Sequence, residues 1–114
     1  MKNFNSIKKN SEFQKVYKNG KSYANKHLVM YVLKNDKKTS RIGISVSKKV
    51  GNSVVRHRMT RLVRECFRLN EDDIKENVDI VVVVRVTAVG FGYKDIVGSY
   101  LHLCRLHKIL KEMV

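Results

Sequence analysis

The most chemically distinctive segment of this sequence runs from Ser45 to Phe67 and reads SVSKKVGNSVVRHRMTRLVRECF. It holds two lysines and four arginines. Arginine presents its N–H donors in a planar fork that matches phosphate oxygens and stacks on bases. Glu65 is the only acidic residue between Asn52 and Asn70, so the segment lacks the mixed charges that stabilise an ordinary solvated helix. The chemistry that these residue types favour is therefore the binding of a polyanion.

The same segment has the apolar spacing of an amphipathic helix that begins after Gly51, with Asn52 or Ser53 as its cap, and ends near Leu69. At about 100 degrees of rotation per residue, the apolar side chains form one core-facing stripe. Its members are Val55, Met59, Leu62, Val63 and Cys66. The opposite side carries His57, Arg61, Arg64 and Arg68, and the stripe is flanked by Arg56 and Arg58. Nucleic-acid binding is the favoured interpretation, and a solvated face is the alternative.

The charge of the whole chain agrees with a polyanionic partner. Its 114 residues include 24 Lys and Arg against 10 Asp and Glu, which gives a net charge of +14. Such an excess repels itself on folding unless a polyanion offsets it. No segment approaches the roughly 20 apolar residues that span a bilayer, and the N-terminus lacks the apolar core of a secretory signal. We therefore expect one cytoplasmic domain over residues 1–114, with neither a membrane nor a small-molecule substrate as partner.

Residues that would support catalysis or metal binding by the protein itself are poorly placed. His102 and His107 are five residues apart, too splayed on a helix for one ion, and Cys104 between them points toward the core. Glu71, Asp72 and Asp73 are consecutive in a loop, where ending a helix is the favoured role. The sequence therefore predicts no catalytic residue, no metal ligand, and two buried reduced thiols, Cys66 and Cys104.

The first half of the chain predicts a short helix and two strands. Ser11 and Gln14 have the spacing of a capping box, and Gly20 ends the helix. Residues 28–33 alternate as a strand, with Leu28, Met30 and Val32 on one side, and residues 35–40 form a turn. In residues 41–46 the isoleucines alternate with small or polar residues. One face of this strand should meet the core, and the other should be open.

The second half predicts a loop, a central strand and a last helix. The acidic run at 70–73 marks a loop with a helical turn. The run VDIVVVVRV is rich in β-branched residues and suits a strand covered on both faces. Gly90 to Gly92 form a turn, and a helix runs from about Tyr93 to Glu112, with Met113 continuing its apolar spacing. The order of elements predicts a sandwich of one sheet with helices against it.

The segment RIGISVSKKVGNSVVRHRMTRLVRECF resembles the signature of the bacterial ribonuclease P protein subunit, in which a Ser-Lys-Lys run, a Gly-Asn turn and an Arg-x-Arg helix follow one another. The resemblance extends upstream through SEFQKVYKNGKSYANKHLVMYVL and covers most of the chain. Family members usually read Arg-Asn-Arg where this sequence has Arg56, His57 and Arg58.

The resemblance implies an α+β sandwich of the ribosomal protein S5 domain 2-like type. One mostly antiparallel sheet would pack against helices, with a left-handed β-α-β crossover. It also implies an accessory to a catalytic RNA that cleaves the 5′ leader from precursor tRNA, using Mg²⁺ held mainly by the RNA. Both RNAs would be partners, and the chemistry would belong to the RNA subunit. The alternative is a stand-alone basic RNA-binding or ribosomal protein without a leader cleft.

The resemblance also implies two sets of contact residues. The catalytic RNA would meet Lys48, Lys49, Asn52, Arg56, His57, Arg58, Arg61, Arg64 and Arg68. The single-stranded leader would run through a cleft between the first helix and the sheet, lined by Phe13, Lys15, Tyr17, Lys21, Tyr31, Ser45 and Ser47. Aromatic rings suit this role because stacking recognises unpaired bases without demanding a sequence.

Overall fold

A computed structural model describes residues 6–75 and 77–111. Within these ranges the chain forms three α-helices and four strands. The helices are α1 (Asn10–Asn19), α2 (Ser53–Asn70) and α3 (Tyr93–Leu106), and the strands are β1 (Lys21–Ala24), β2 (Leu28–Lys34), β3 (Arg41–Ser45) and β4 (Val78–Val84). Short 3₁₀ turns follow α2 and β4, at Glu71–Asp73 and Val86–Ala88. None of the helices in these ranges is long and apolar enough to cross a bilayer.

The four strands form one mixed sheet in the order β1-β2-β4-β3. β1 and β2 are antiparallel, as are β2 and β4, whereas β3 and β4 run parallel and are joined through α2. Six of the seven residues of β4 are buried, as expected for a strand flanked by neighbours and covered on both faces. The predicted α+β sandwich and its mostly antiparallel sheet are confirmed. The left-handedness of the β3-α2-β4 connection stays a prediction of the resemblance.

Helices cover both faces of the sheet. On one face, α2 and α3 pack over Leu28, Met30 and Ile80 to form the main core, to which Phe67 and Tyr100 contribute the largest side chains. On the other face, α1 lies over the sheet around a smaller cluster of Ile7, Val16 and Val81. The alternation predicted for β2 is confirmed, because Leu28, Met30 and Val32 join the main core while Tyr31 and Leu33 join the smaller cluster.

The predicted cap of α1 is wrong. The helix begins at Asn10, so Ser11 lies inside its first turn, and no side chain caps it. The backbone carbonyl of Lys9 accepts from the N–H groups of Glu12 and Phe13 instead. Gly20 does end the helix, at an ordinary φ of −82°. Its small size is required because a Cβ atom there would lie 2.6 Å from the carbonyl oxygen of Val16.

The predicted length of α3 is also wrong, since the helix ends at Leu106. Lys108 adopts a left-handed conformation with φ of 58°, and the N–H of Ile109 donates to the carbonyl of Cys104. The chain then pairs Leu110 with Ile74 in an isolated bridge. The chain thus leaves the helical conformation after Leu106, and Ile109 is buried in the core. Glu112 and Met113 lie outside the described residues.

Candidate nucleic-acid interface

The cationic helix α2 is oriented by its cap and by its buried face. The Oδ1 atom of Asn52 accepts a hydrogen bond from the backbone N–H of Val55 at 3.0 Å, which stabilises the first turn. The predicted stripe is confirmed at Met59, Val63 and Cys66, which are fully buried. Phe67 is also fully buried, although its position falls outside the predicted stripe. The buried face is therefore centred closer to Arg56 than the apolar spacing suggests.

The outward face of α2 carries most of the predicted RNA-binding residues. Its exposed members are His57, Arg58, Arg61, Arg64 and Arg68, and Lys48 and Lys49 are exposed in the turn that leads into the helix. Arg56 is different, because it is half-buried and its Nε atom is buried without a hydrogen-bond partner. The structure thus brings the predicted set onto one side of the molecule, with Arg56 at its inner margin.

Arg68 and Arg58 make hydrogen bonds to other protein groups. Arg68 donates from Nε and Nη2 to both carboxylate oxygens of Glu65, at 2.7 and 2.8 Å, and this hydrogen bonding lowers the pKa of Glu65. Arg58 donates from Nη2 to the carbonyl oxygen of Phe91, at 3.2 Å, in the loop before α3. In the first turn of α2, Val54 leaves 75% of its surface exposed beside His57 and Arg61. The face therefore offers cations for phosphates and an apolar surface for bases or riboses.

On the opposite face of the sheet, the three predicted aromatic residues form one cluster. The rings of Tyr17 and Tyr31 meet edge to face with centroids 4.9 Å apart, and the rings of Phe13 and Tyr17 lie 6.4 Å apart. All three are half-buried and pack against the smaller core. Each ring therefore helps hold α1 on the sheet while leaving part of its surface accessible.

The prediction of an open polar face on β3 is wrong at Gly43. This residue is buried under the ring of Phe13, so that a Cβ atom would lie 2.8 Å from the ring carbons Cε1 and Cζ. Ser45 is half-buried at the end of the strand, and Ser47 is exposed just beyond it. The two serine hydroxyl groups predicted to meet a strand of RNA therefore lie at this end of β3.

A small cleft of about 190 Å³ connects the aromatic cluster to α2. Its walls are the segment Ser6–Lys8, the ring of Phe13, the edge of β3, and Thr60 and Arg64 of α2. An aromatic residue and an arginine therefore border the same space. Lys8 also lines this cleft, although it is not among the residues predicted from the sequence. The only sequence signal for this role is its position next to the apolar Ile7.

The two predicted leader-binding lysines, Lys15 and Lys21, do not join the rings. Lys15 lines a second groove on the other side of α1, together with Glu12, Arg41 and Asp79. Lys21 lies on β1 with its Nζ atom 5.1 Å from the centre of the Tyr23 ring. Since Tyr23 packs against the main core, Lys21 is on the far face of the sheet from Phe13.

The two histidines considered above as metal ligands have structural partners. His102 Nδ1 lies 3.1 Å from the side-chain amide of Asn25, and His107 Nε2 lies 2.8 Å from the carbonyl oxygen of Met30. Within residues 6–75 and 77–111, no three His, Cys, Asp or Glu side chains are grouped closely enough to hold a metal ion. The prediction of buried free thiols is confirmed for Cys66 and Cys104. Burial raises the pKa of each thiol to about 12.

We expect the substitution Gly43→Ala to act on the Phe13 ring. The added methyl group would lie 2.8 Å from two ring carbons, so the ring must turn away from β3 at an expected cost of about 1–3 kcal/mol in the free energy of unfolding. Chemical denaturation measures that cost. The double variant G43A/F13L should recover part of the lost stability, because leucine ends short of the ring carbons. Equal stability of G43A and the unsubstituted protein would contradict the tight contact.

Comparisons with known proteins point to one family. A family model described as Ribonuclease P matches residues 1–108. The ribonuclease P protein component of Lachnoclostridium phytofermentans is 55% identical over 107 residues, covering 94% of this chain and 92% of its relative. That of Alkaliphilus oremlandii is 45% identical over the full length of both chains. The structure of the Staphylococcus aureus RNase P protein superposes with a TM-score of 0.87 at 37% identity, covering 96% of this chain and 100% of the other.

Proposed function

This chain belongs to the ribonuclease P protein family, and from that premise we propose that its two faces bind two different RNAs. As a protein component of ribonuclease P, it serves in the removal of 5′ leaders from tRNA, with RNA as its partner in a ribonucleoprotein. The family match along residues 1–108 favours this role over the alternative of a stand-alone basic RNA-binding or ribosomal protein. What we propose concerns which RNA each surface meets.

We assign the catalytic RNA subunit to the outward face of α2 and the lysines before it. This face carries the greatest density of exposed cations that the sequence places on one helix, and its arginines suit bidentate contacts with phosphate. Asn52 contributes chiefly by capping α2, because its side-chain oxygen is held by the Val55 N–H. His57 takes the place of the family's usual asparagine and supplies an exposed imidazole instead.

We assign the 5′ leader of precursor tRNA to the aromatic cluster of Phe13, Tyr17 and Tyr31. The observation that carries this assignment is the cleft shared by Phe13 and Arg64, because it makes the ring surface continuous with the cationic helix. A single strand crossing it meets ring faces for its bases and cations for its phosphates, which is how sequence-tolerant single-strand binding works. Ser45 and Ser47 would supply hydrogen bonds to the leader at the C-terminal end of β3.

The reaction needs Mg²⁺ in this proposal, and the part of the chain that the structure describes holds no group of three His, Cys, Asp or Glu side chains that fits a site for it. The carboxylates of Glu12 on α1 and Asp79 on β4 are both paired with the guanidinium of Arg41. The metal is therefore assigned mainly to the catalytic RNA, where it supplies the hydrolytic chemistry. The protein's own contribution is to offset the repulsion between two polyanions and to hold the leader. We place this work in the cytoplasm.

Cleavage of a precursor tRNA at low Mg²⁺ concentration tests the proposal. The samples are a bacterial ribonuclease P RNA alone, the RNA with this protein, and the protein alone. We expect the leader to be released efficiently only in the combined sample. Absence of stimulation would overturn the accessory role, and cleavage by the protein alone would overturn the assignment of the chemistry to RNA.

A further inference from the structure

The side chain of Arg41 joins three elements of the fold. Arg41 on β3 lies directly opposite Asp79 on β4 in the parallel register. Its Nε and Nη2 atoms donate to the two carboxylate oxygens of Asp79, at 2.9 and 2.7 Å. Its Nη1 atom donates at 2.7 Å to the Oε2 atom of Glu12 in the first turn of α1. One guanidinium thus connects the edge strand, the central strand and the helix on the outer face of the sheet.

The two arms of this bridge differ in burial. The side chains of Arg41 and Asp79 are 15% and 8% exposed, whereas that of Glu12 is 32% exposed. Asp79 is held further by the side-chain amide of Asn35, at 2.7 Å. Although burial raises the pKa of Asp79, the hydrogen bonds from Arg41 and Asn35 outweigh it and leave that pKa lowered. Removal of Glu12 would therefore leave Arg41 paired with Asp79 and the sheet unchanged.

The remaining attachments of α1 to the sheet are mostly apolar. Val16 is the one fully buried residue of this helix, and no side chain caps its N-terminus. Apolar contact has little directional preference, so it determines which side of α1 meets the sheet but constrains the exact rotation less tightly than a hydrogen bond does. The short hydrogen bond between Glu12 and Arg41 is directional. It can set how far α1 is turned about its own axis.

We propose that Glu12 is a positioning residue for leader recognition, which acts through Arg41 to fix the rotation of α1 and thereby the rings of Phe13 and Tyr17. This inference rests on the proposed leader cleft. Phe13 is the next residue after Glu12 and presses its ring on Gly43, and Tyr17 lies one turn further on against Tyr31. A change in rotation at Glu12 is therefore transmitted to both rings.

The experiment compares Glu12→Ala with Asp95→Ala in the assembled holoenzyme. Asp95 is exposed in the first turn of α3, so the two variants change the same charge at equivalent places on a helix. The measured quantity is the affinity for precursor tRNA divided by the affinity for leader-free tRNA. We expect E12A to lower this ratio about three- to fivefold, because a partly exposed ion pair cannot transmit more than its own interaction free energy.

Two further readouts separate positioning from general stability. Thermal unfolding of each variant fixes a working temperature at which both proteins are folded. Glu12→Gln should lower the ratio less than E12A does, because its amide oxygen still accepts from Nη1 of Arg41. We expect D95A to leave the ratio unchanged.

The outcomes distinguish this proposal from the one on which it rests. The comparison variant F13L/Y17L removes the rings and keeps apolar bulk. If it loses leader discrimination while E12A keeps it, the positioning role is overturned and the cleft stands. If both variants keep discrimination, the leader cleft itself is overturned. An equal loss of affinity for both tRNAs in E12A would also overturn the positioning role.

Discussion

Replacement of Phe13 and Tyr17 by leucine should weaken the binding of precursor tRNA by the holoenzyme about tenfold or more, while the binding of leader-free tRNA stays unchanged. Stacking of an unpaired base on an aromatic ring contributes roughly 1–3 kcal/mol, and leucine offers no ring face. Both residues are half-buried against Ile7, Val16 and Val81, and leucine retains most of that apolar contact. The measurement is equilibrium binding of the two tRNAs to the assembled holoenzyme.

The control for this variant is Phe91→Leu, which removes a half-buried ring from the loop before α3. It should leave both affinities unchanged. If F13L/Y17L binds the two tRNAs as differently as the unsubstituted protein does, these rings serve packing alone.

The second large effect is expected from Arg61→Ala combined with Arg64→Ala on the outward face of α2. Each arginine that neutralises a phosphate adds roughly 0.7 to 0.9 to the slope of log affinity against log salt concentration. The double variant should therefore lower that slope by about 1.5 and weaken binding to the catalytic RNA by on the order of a hundredfold at low salt. Titration of the RNA at several salt concentrations measures both quantities.

The matched control changes the same net charge on α3. Arg105 and Lys94 are both exposed there, and their replacement by alanine should affect the slope much less. An equal effect of the two double variants would mean that overall charge, rather than the face of α2, governs assembly with the RNA.

Periodicity in the sequence predicted the elements whose burial is strong and local. The apolar stripe of α2 repeats at the helical period, so the position and orientation of this helix could be inferred. The valine run of β4 is continuous, and its length and β-branched residues indicated a strand covered on both faces. β1 was missed because its residues are mostly exposed and show no apolar alternation. The end of α3 was missed because burial of Ile109 and the bridge from Leu110 to Ile74 depend on a distant part of the chain.

At the candidate site, too, local sequence patterns predicted some features, and contacts between distant residues determined the others. The residues of one cationic helix face could be grouped from spacing alone, whereas the cover that Phe13 places over Gly43 could not, because it joins two elements far apart in sequence. Glu12, Arg41 and Asp79 carry no pattern that links them. Only the parallel register of β3 with β4 brings two of them opposite each other, and only the placement of α1 adds the third.

The position of β4 in the sheet has a consequence for how the molecule is made. β4 lies between β2 and β3, which precede it in the chain. A nascent chain that has emerged only as far as α2 therefore contains β2 and β3 without the strand that lies between them in the finished sheet, and a highly cationic helix without its full core. Non-local pairing of this kind slows folding because loop closure precedes any gain in contacts. Synthesis of residues 78–84 thus allows the sheet to be completed, and we expect the cationic helix α2 to reach its final packing only after them.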